Sequence, residues 1–596
     1  MSVLDRIERL RNVMEQQKID CYIIPTDDYH HSEYVGDYFK FREYITGFTG
    51  SAGTAVFTKD KAGLWTDGRY FIQAEAQLEG SGITLYKSGE SDVPTIEEFL
   101  KSELKEGDVL GFDGRTVTYA QGKRYCHIAD ENGASLKYSL DFAQNIWQER
   151  PEMSMEPVFS LEDEYTGEKI GSKLERIREI MKENGCNAHV LSSLDDIAWL
   201  LNIRGNDIAY CPLVLSYAIV YNNSVELFAD IRKFSDDIIN LLAENQVKIY
   251  PYEDIYRKVS EMTSEDKLLL DSSIMNYSLY QAISKETVII DKQNPEILMK
   301  SVKNETQAEN LRRAHLKDAV AHTKFMYWLK KNIGRVEITE LSASARLEGL
   351  RAEQEHFLGP SFGPISAYGE HGAIVHYSAD EKSNVPLKEG KLFMTDTGGH
   401  YLEGSTDITR TVALGEVGNL EKEHFTLVAR AMLRLANTVF LYGCSGANLD
   451  CIAREIFWKE GLNFNHGTGH GVGYLLNIHE GPINFRWKEG ERPAPALEEN
   501  MVITDEPGIY IEGSHGIRLE NELLVRKTVK NEYGQFMNFE ILTYVPIDLD
   551  AILPEKMSTE EKEMLNHYHK QVYEKVSPYL SEEERIWLKE YTRAVK

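Results

Sequence analysis

The chain has 596 residues, of which 42% are hydrophobic and 27% are charged, so it is long enough for several domains with apolar cores. Its 95 Asp and Glu residues outnumber 66 Lys and Arg residues and give a formal net charge of −29. This balance argues against a surface that binds nucleic acid or anionic membrane, and we expect neither as a partner.

The sequence also indicates the cellular compartment in which the protein is expected. No apolar run approaches the roughly 20 residues that a membrane span needs, and the N-terminal sequence MSVLDRIERLRN lacks the apolar core of a signal peptide. Six cysteines are scattered without a CxxC pair, which is typical of free thiols in a reducing environment. We therefore expect a soluble, cytoplasmic protein.

The first half of the chain predicts a duplicated α/β domain. An apolar stripe through Leu4, Ile7 and Leu10 predicts a helix, and residues 21–24 predict a strand. Four short segments of the first 150 residues resemble four later segments in the same order. Residues 2–7 match 172–177, 27–28 match 195–196, 44–48 match 199–203, and 64–71 match 227–234. This order predicts two related domains over residues 1–150 and 151–301, with the boundary in the polar stretch 152–166.

Residues 302–596 predict a third domain of a different kind. Helices are predicted over residues 297–333, 338–353, 421–441 and 449–460, and strands around 373–376, 392–395, 408–413, 501–504, 522–525 and 539–545. The order of these elements predicts two related halves with helices on one side of a mostly antiparallel sheet. Capping-box spacing at Ser558 and Ser581 predicts a helical extension over residues 546–596, with helices at 559–576 and 582–591.

The first segment that indicates a chemical function contains two carboxylates. An apolar strand at residues 392–394 leads to Asp396, Gly398 and Gly399 turn the chain, and the return strand carries Asp407. Two carboxylates held together repel each other unless a proton or a cation lies between them. On this segment alone, two exposed aspartates on unrelated turns are an equally good interpretation.

Three further segments carry an imidazole or an acid. The stretch HGTGHGVG at residues 466–473 contains His466 and His470, and its glycines imply close backbone approach rather than a helix. His479 follows it, and Glu506 and Glu520 lie in TDEPG and RLEN contexts. Each residue alone would be an ordinary loop histidine or a solvated acid. Four carboxylates and one imidazole together balance two divalent cations and suit Mn, Co, Fe or Zn; the five are Asp396, Asp407, His470, Glu506 and Glu520.

These motifs, in this order, closely resemble the pita-bread metallopeptidases, which include methionine aminopeptidase, prolidase and aminopeptidase P. The duplicated N-terminal region and the C-terminal extension look like the long, three-domain aminopeptidase P. The resemblance implies an α/β and α+β protein, with two creatinase-like α/β domains followed by a pita-bread catalytic domain. It also implies two divalent metal ions, with Mn²⁺ preferred and Co²⁺ or Zn²⁺ as alternatives, and a homodimer.

The same resemblance implies a role for each site residue. Asp396 would chelate one metal ion, His470 and Glu506 the other, and Asp407 and Glu520 would bridge the two. Glu506 would also accept the proton of the attacking metal-bound hydroxide. The remaining residues would face the peptide, with His376, His466 and His479 in catalysis and with substrate-binding positions at Arg69, His376, His470, His479, Glu506, Tyr510 and Arg518.

The implied reaction releases the N-terminal residue of a peptide that has proline at its second position. A Xaa-Pro bond is a tertiary amide without N–H, so enzymes that hold substrate as a hydrogen-bonded strand lose a donor there. Prolidase is the nearest alternative, but it typically has one N-terminal domain. A non-catalytic peptide-binding or histone-binding protein, or a creatinase-like hydrolase, would lack the metal ligands that this chain carries.

Overall fold

The computed structural model describes residues 1–488, 490 and 493–596. The chain forms two compact units, one of residues 1–161 and 169–296 and the other of residues 162–168 and 297–596. In the part of the chain that is described, none of the helices has both the length and the apolar character needed to cross a bilayer.

The first unit contains the predicted duplication. Its first half has six strands: β1 Cys21–Pro25, β2 Thr54–Thr58, β3 Ala62–Thr66, β4 Thr84–Lys87, β5 Val109–Phe112 and β6 Ser135–Lys137. The helices of this half are α1 Val3–Gln17, α2 Phe41–Thr46, α3 Phe71–Leu78, α4 Ile96–Glu103, α5 Tyr119–Glu131 and α6 Ala143–Ile146. The strands form one mixed sheet in the order β4-β3-β2-β1-β5-β6.

The second half repeats this arrangement. Its strands are β7 Phe159–Ser160, β8 Ala188–Leu191, β9 Ile203–Arg204, β10 Tyr217–Tyr221, β11 Val225–Phe228, β12 Val247–Tyr250, β13 Lys267–Leu270 and β14 Val288–Asp291. Its helices are α8 Ile170–Glu183, α9 Leu194–Leu200, α10 Asp236–Glu244, α11 Asp254–Ser260 and α12 Tyr277–Ala282, and α7 Asp163–Thr166 belongs to the second unit. The sheet order β12-β11-β10-β8-β13-β14, with the same parallel and antiparallel neighbours as in the first half, confirms the predicted repeat.

The second unit begins with helices and continues into antiparallel sheets. The helices are α13 Pro295–Ser301 at its border, α14 Glu305–Asn332, α15 Glu340–Ala352, α16 Asn419–Ala436, α17 Gly446–Lys459, α18 Thr559–Val576 and α19 Glu582–Tyr591. The strands up to α16 are β15 Phe357–Pro360, β16 Ile365–Tyr368, β17 Lys391–Thr397, β18 Gly399–Tyr401, β19 Gly404–Ser405 and β20 Ile408–Leu414. The later strands are β21 Phe440–Leu441, β22 Gly469–Gly471, β23 Glu480–Phe485, β24 Val502–Asp505, β25 Gly508–Ile511, β26 His515–Arg518, β27 Asn521–Asn531 and β28 Gly534–Ile541.

Two antiparallel sheets of this unit position the site. One has the order β16-β17-β20 and the other β21-β28-β27-β24-β22-β23. One apolar core includes residues of α14, α16, α17 and α18 and of both sheets, among them Phe325, Phe393, Phe425 and Phe457. The helices predicted over residues 559–576 and 582–591 are present as α18 and α19, with both capping boxes formed.

Three predicted elements are wrong in detail. The helix predicted over residues 297–333 is broken, because Asn304 caps α14 and the backbone N–H of Lys303 bonds instead to Asn500. The strand predicted at 373–376 is a 3₁₀ turn at Gly369–Ala373 and then loop, and the strand lies earlier, at β16. The helix predicted over 421–441 ends at Ala436, after which β21 pairs with β28.

Candidate active site

The hairpin of β17 and β20 brings the first two acids together. The two strands pair antiparallel with Asp396 opposite Thr409, and Asp407 lies one residue before β20. Asp396 lies inside β17, whereas a position at its end was predicted, and β18 and β19 form part of the connection between the strands. Glu520, just before β27, completes a group in which the three carboxylates each offer an oxygen within 4.8 Å of the others.

A second group shares Glu520 with the first. His470 in β22 and Glu506 directly after β24 each offer a ligand atom within 4.8 Å of one another and of Glu520. The predicted close backbone approach is present here, because a Cβ on Gly469 would lie 1.9 Å from the carbonyl oxygen of Thr504. Only glycine therefore allows β22 to lie this close to β24, and this approach places His470 beside Glu506.

The orientation of His470 suits a metal ligand. Its Nδ1 lies 2.9 Å from the carbonyl oxygen of Gly471 and donates to it, which leaves the Nε2 lone pair free to face the acids. Nε2 lies 3.6 Å from Asp407 Oδ2 and 3.7 Å from Glu506 Oε1. These separations are too long for hydrogen bonds but suit atoms that share one ion, since ligand distances are about 2.0–2.2 Å.

Three oxygens of the proposed ligands have no hydrogen-bond partner among the described residues. Asp396 Oδ1, Asp407 Oδ1 and Glu520 Oε1 are buried and make no hydrogen bond to any described residue. Buried oxygens without a partner are costly, so three of them on the carboxylates of one ligand group fit a bound cation. The donor set, oxygen-rich with one imidazole nitrogen, fits divalent Mn, Co, Fe or Zn.

The acids also repel each other electrostatically. Burial, followed by the charges of Glu520 and Asp396, raises the pKa of Asp407 well above its usual range. Burial and the charge of Glu520 likewise raise the pKa of Glu506, and burial and the charge of Asp396 raise the pKa of Glu520 to about 8. A pair of divalent cations would remove this repulsion and keep the carboxylates ionised.

A hydrogen-bonded chain runs beside the acids. Arg518 pairs with Asp396 and donates to the Tyr510 hydroxyl at 2.7 Å, and that hydroxyl lies 2.8 Å from Nε2 of His466. Nδ1 of His466 lies 2.7 Å from the carbonyl oxygen of Gly467, so Nε2 accepts the proton of Tyr510. Burial and the charge of Arg518 lower the pKa of His466 to about 3, which keeps this imidazole neutral.

The other predicted site residues are placed differently. His479 lies against His470 with ring centroids 4.2 Å apart and joins Asp407 and His470 in a third group of ligand atoms within 4.8 Å. His376 is half-buried in the loop after the 3₁₀ turn Gly369–Ala373, next to Val375, whose carbonyl oxygen lies 3.4 Å from Arg518 Nη2. Arg69 belongs to the first unit, where it forms a two-pronged ion pair with Asp67.

Sequence reasoning missed three supporting residues. Thr409 donates to Glu520 Oε2 at 2.8 Å, and Glu522 Oε1 accepts the backbone N–H of Asp407 at 2.7 Å. His315 of α14 lies with Nε2 3.1 Å from the second oxygen of Glu522, and both side chains are fully buried. Glu522 follows the RLEN motif and was visible as a nearby acid, but nothing in the sequence connects it to His315.

Comparison with known proteins gives the same assignment along the chain. Residues 309–527 match the model of metallopeptidase family M24, and residues 535–595 match the C-terminal region of that peptidase. Residues 6–137 and 149–307 each match a creatinase/prolidase N-terminal domain. Xaa-Pro aminopeptidase 1 of Dictyostelium discoideum is 36% identical over 595 residues, which cover 97% of this chain and 94% of that protein. The chain belongs to the Xaa-Pro aminopeptidases of metallopeptidase family M24.

Solved structures agree with membership in this family. The crystal structure of X-prolyl aminopeptidase from Caenorhabditis elegans, described as a cytosolic enzyme with a di-nuclear active site, has a TM-score of 0.95, 33% identity and full coverage of both chains. A Xaa-Pro dipeptidase from Bacillus anthracis has a TM-score of 0.51 and 25% identity and covers 64% of this chain but 99% of its own. The family fold therefore extends over the whole chain, whereas the dipeptidase lacks a counterpart for about a third of it.

Proposed function

We propose that this protein is a metal-dependent aminopeptidase that releases the N-terminal residue of peptides with proline in second position. The observation that carries the proposal is the pair of three-ligand groups that share Glu520, in a chain that matches Xaa-Pro aminopeptidases over its full length. A site of this kind has ligands for two ions, which a binding protein without catalysis has no need to preserve.

The metal pair is held by residues of the second unit. Asp396 would hold one ion, His470 and Glu506 would hold the other, and Asp407 and Glu520 would be shared between them, with Mn²⁺ as the preferred metal. When bound, divalent ions supply Lewis acidity toward the scissile carbonyl and lower the pKa of coordinated water. Glu522, with His315 beside its second oxygen, accepts the backbone N–H of Asp407, and Thr409 donates to Glu520, so the Asp407 backbone and the Glu520 carboxylate are each held in place.

Side chains of this protein are proposed to accept and donate the protons of the reaction. Glu506 is the general base, because its carboxylate is partly exposed, with 18% of the side chain accessible, and lies at the edge of the ligand cluster. His376 and His479 are the candidates for protonating the departing proline nitrogen, since an imidazole donates readily near neutral pH. His466, held neutral by burial and by the charge of Arg518, positions the Tyr510 hydroxyl and, through it, the Arg518 guanidinium beside the ligand cluster.

The remaining proposals concern the whole protein. Arg69, whose side chain is 37% exposed, is proposed to contact the peptide.

The domains are proposed to run over residues 1–150, 151–301 and 302–596, the last with its helical extension. A homodimer is proposed, and the exposed rings of Trp458 and Trp487, which meet edge to face, offer an aromatic surface for it. A cytosolic location is proposed by analogy with the Caenorhabditis elegans enzyme.

One assay tests the activity. The purified full chain, stripped of metal and reconstituted with Mn²⁺, Co²⁺ or Zn²⁺, is given a Xaa-Pro dipeptide, a Xaa-Pro tripeptide and a Xaa-Ala tripeptide. Cleavage of the Xaa-Pro tripeptide at its first bond, with little cleavage of Xaa-Ala, is the expected result. Cleavage of the dipeptide alone would indicate a prolidase, and no cleavage of any peptide with metal bound would contradict the proposal.

A further inference from the structure

Glu340 is a fully buried carboxylate in the first turn of α15, outside the metal cluster. We infer that Glu340 is the positioning residue for the loop that carries His376, and that it sets the place of this imidazole during proton transfer. The inference rests on the proposed function, because it assigns Glu340 to the same reaction through His376.

Both carboxylate oxygens of Glu340 accept hydrogen bonds from this loop. Oε1 accepts from the backbone N–H of Tyr368 and from Nδ1 of His371, each at 2.8 Å. Oε2 accepts from the Tyr377 hydroxyl at 2.9 Å and from the backbone N–H of Val385 at 3.3 Å. The donors lie before and after His376 in the sequence, so one side chain holds the loop on both sides of the histidine.

Backbone bonds add to this arrangement. The N–H of Glu340 donates to the carbonyl oxygen of Val385 at 3.2 Å, and the Glu340 carbonyl oxygen accepts from Ser366 Oγ at 2.7 Å. A capping box between Thr339 and Ser342 fixes the start of α15 at the same place. The carboxylate is therefore held at the end of a helix whose position is already determined.

The loop also has restraints of its own: Tyr377 lies in an apolar cluster with Ile365 and Met394, and the Asp380 carboxylate accepts from the N–H groups of Lys382 and Ser383. Residues 374–385 lie outside every described helix and strand, so no strand ladder or helical bonding holds them. At the site end, the Val375 carbonyl oxygen lies 3.4 Å from Arg518 Nη2. Before it, Gly372 lies so close to Gly516 that a Cβ on Gly516 would be 1.6 Å from the Gly372 carbonyl oxygen. Arg518, which also pairs with Asp396, and Gly516 contact the segment just before His376, and Glu340 accepts from donors on both sides of this histidine in the sequence.

The geometry explains why a charged acceptor is used. A buried carboxylate is costly unless several donors satisfy it, and here four donors do so. Glutamine has the same size, but one of its two terminal groups is a donor. Whichever way the amide turns, its NH2 group faces one backbone N–H that it cannot accept from, that of Tyr368 or that of Val385, so Glu340→Gln should lose at least one backbone restraint.

For catalysis, the important quantity is the distance between the His376 imidazole and the leaving nitrogen. Proton transfer requires an imidazole within hydrogen-bond reach of the leaving nitrogen, and a displacement of about 1 Å can cost about 100-fold in rate. Among the described residues, no hydrogen bond or ion pair joins the Glu340 carboxylate to a proposed metal ligand or substrate-binding residue. Its loss should therefore lower turnover through His376 while the metal pair remains bound.

The test compares variants of the full chain loaded with Mn²⁺. Glu340→Gln is expected to lower kcat for a Xaa-Pro tripeptide by roughly 10- to 100-fold, with KM changed less and metal stoichiometry as in the wild type. Tyr377→Phe, which removes a single donor, should give a smaller loss of the same kind. Glu348→Gln, an exposed carboxylate on the same helix, is the matched control and should leave kcat unchanged.

A double variant shows whether the effect acts through the histidine. If Glu340 positions His376, then Glu340→Gln should cause little further loss in a His376→Ala background, because the group being positioned is already gone. Multiplicative losses in the double variant, or loss of bound metal in Glu340→Gln, would overturn the inference. Failure of Glu340→Gln to fold would leave Tyr377→Phe and its double variant with His376→Ala to decide the question by the same criterion.

A crystal structure of the variant separates this inference from the proposed function. We expect the His376 ring to be displaced by about 1 Å or more in Glu340→Gln, or by a smaller amount in Tyr377→Phe, whatever the substrate proves to be. An unmoved ring would overturn the positioning role even if the enzyme cleaves Xaa-Pro peptides. A displaced ring in the variants, together with a wild-type protein that lacks peptidase activity, would instead contradict only the proposed function.

Discussion

Lys303 and Glu480 form an ion pair with Nζ 2.5 Å from Oε1, and each side chain is only 1% exposed. Lys303 lies at the break between α13 and α14 and also donates to the carbonyl oxygen of Lys300 at 2.9 Å. Glu480 follows His479 directly and begins β23. The pair therefore ties the start of the long helix α14 to the segment that carries a proposed catalytic histidine, and burial lowers the pKa of Lys303.

Lys303→Met should destabilise the protein strongly, because it removes the ammonium that lies 2.5 Å from the buried Glu480 carboxylate. Removing one partner of a buried ion pair typically costs about 3–5 kcal/mol. Lys331→Met, which removes an exposed ion pair with Glu583, is the control and should change the melting temperature little. Calorimetric melting curves give the melting temperatures of the two variants. The double variant Lys303→Met/Glu480→Gln should recover much of the loss, and a single variant that melts like the wild type would contradict the assignment.

Asp407→Asn and Glu520→Gln should each reduce metal binding by more than one ion per chain. Wild-type protein is expected to bind about two divalent ions, and a bridging carboxylate serves both of them. Elemental analysis after reconstitution and dialysis gives the stoichiometry. Glu512→Gln, an exposed acid in the turn between β25 and β26, is the control and should keep both ions. Full metal content in either bridging variant would show that the carboxylate is not shared.

His376→Ala and His479→Ala should keep metal near the wild-type level while turnover falls by roughly 100-fold or more. The ligand set is complete without either residue, so each loss should appear in kcat. Metal content, melting temperature and kcat are measured on the same preparations. His479 offers a ligand atom near Asp407 and His470, so loss of metal in His479→Ala would instead make it a ligand.

Arg69→Ala should lower kcat/KM by roughly 10- to 100-fold if its guanidinium binds the peptide, since a hydrogen bond between charged groups contributes about 1.5–3 kcal/mol. The duplication supplies a matched control. Arg232 forms the same ion pair with Asp230 in the second copy, and Arg232→Ala should leave kcat/KM unchanged. Equal effects of the two variants would indicate that the Asp-x-Arg pair is structural in both copies.

His569 should make stability depend on pH. This buried imidazole accepts the N–H of Ile547 on Nε2 at 3.1 Å, and burial together with the charge of Arg410 lowers its pKa from 6.5 to about 3. Because the folded pKa is the lower one, the unfolded chain binds the proton more readily below pH 6.5. The stabilisation from His569 is therefore complete above about pH 6.5 and decreases as the pH falls toward 3, by up to about 1.4 kcal/mol per pH unit.

The measurement is the free energy of unfolding between pH 5 and pH 8 for His569→Gln and the wild type. The glutamine side chain of this variant has no proton to gain, so the difference in stability between the two proteins should shrink as the pH falls. His567→Gln, at an exposed position of the same helix, is the control and should follow the wild type. A difference that stays constant over this range would mean that His569 titrates alike in the folded and unfolded chain.

Local patterns in the sequence determined a large part of the fold. The apolar stripe and cap of α1, the capped helices α18 and α19, and the strands at β17, β20 and β24 follow from residues close together in the chain. The repeat of four segments was sufficient to predict the duplicated sheet. The five proposed ligands were found because each lies at the edge of an apolar strand or a glycine-rich turn, where a buried strand brings polar groups to one place.

Tertiary structure decided where those patterns end and what supports the site. The helix predicted over residues 297–333 is broken at Lys303, whose backbone N–H bonds to Asn500 and whose side chain pairs with Glu480, and the strand predicted near His376 is a loop held by Glu340. The links from His315 to Glu522 and from Thr409 to Glu520 join residues far apart in sequence. A side chain's partner depends on which distant segments pack against it, and the desolvation of buried charge then decides whether that partner is required; neither quantity is encoded in a local pattern.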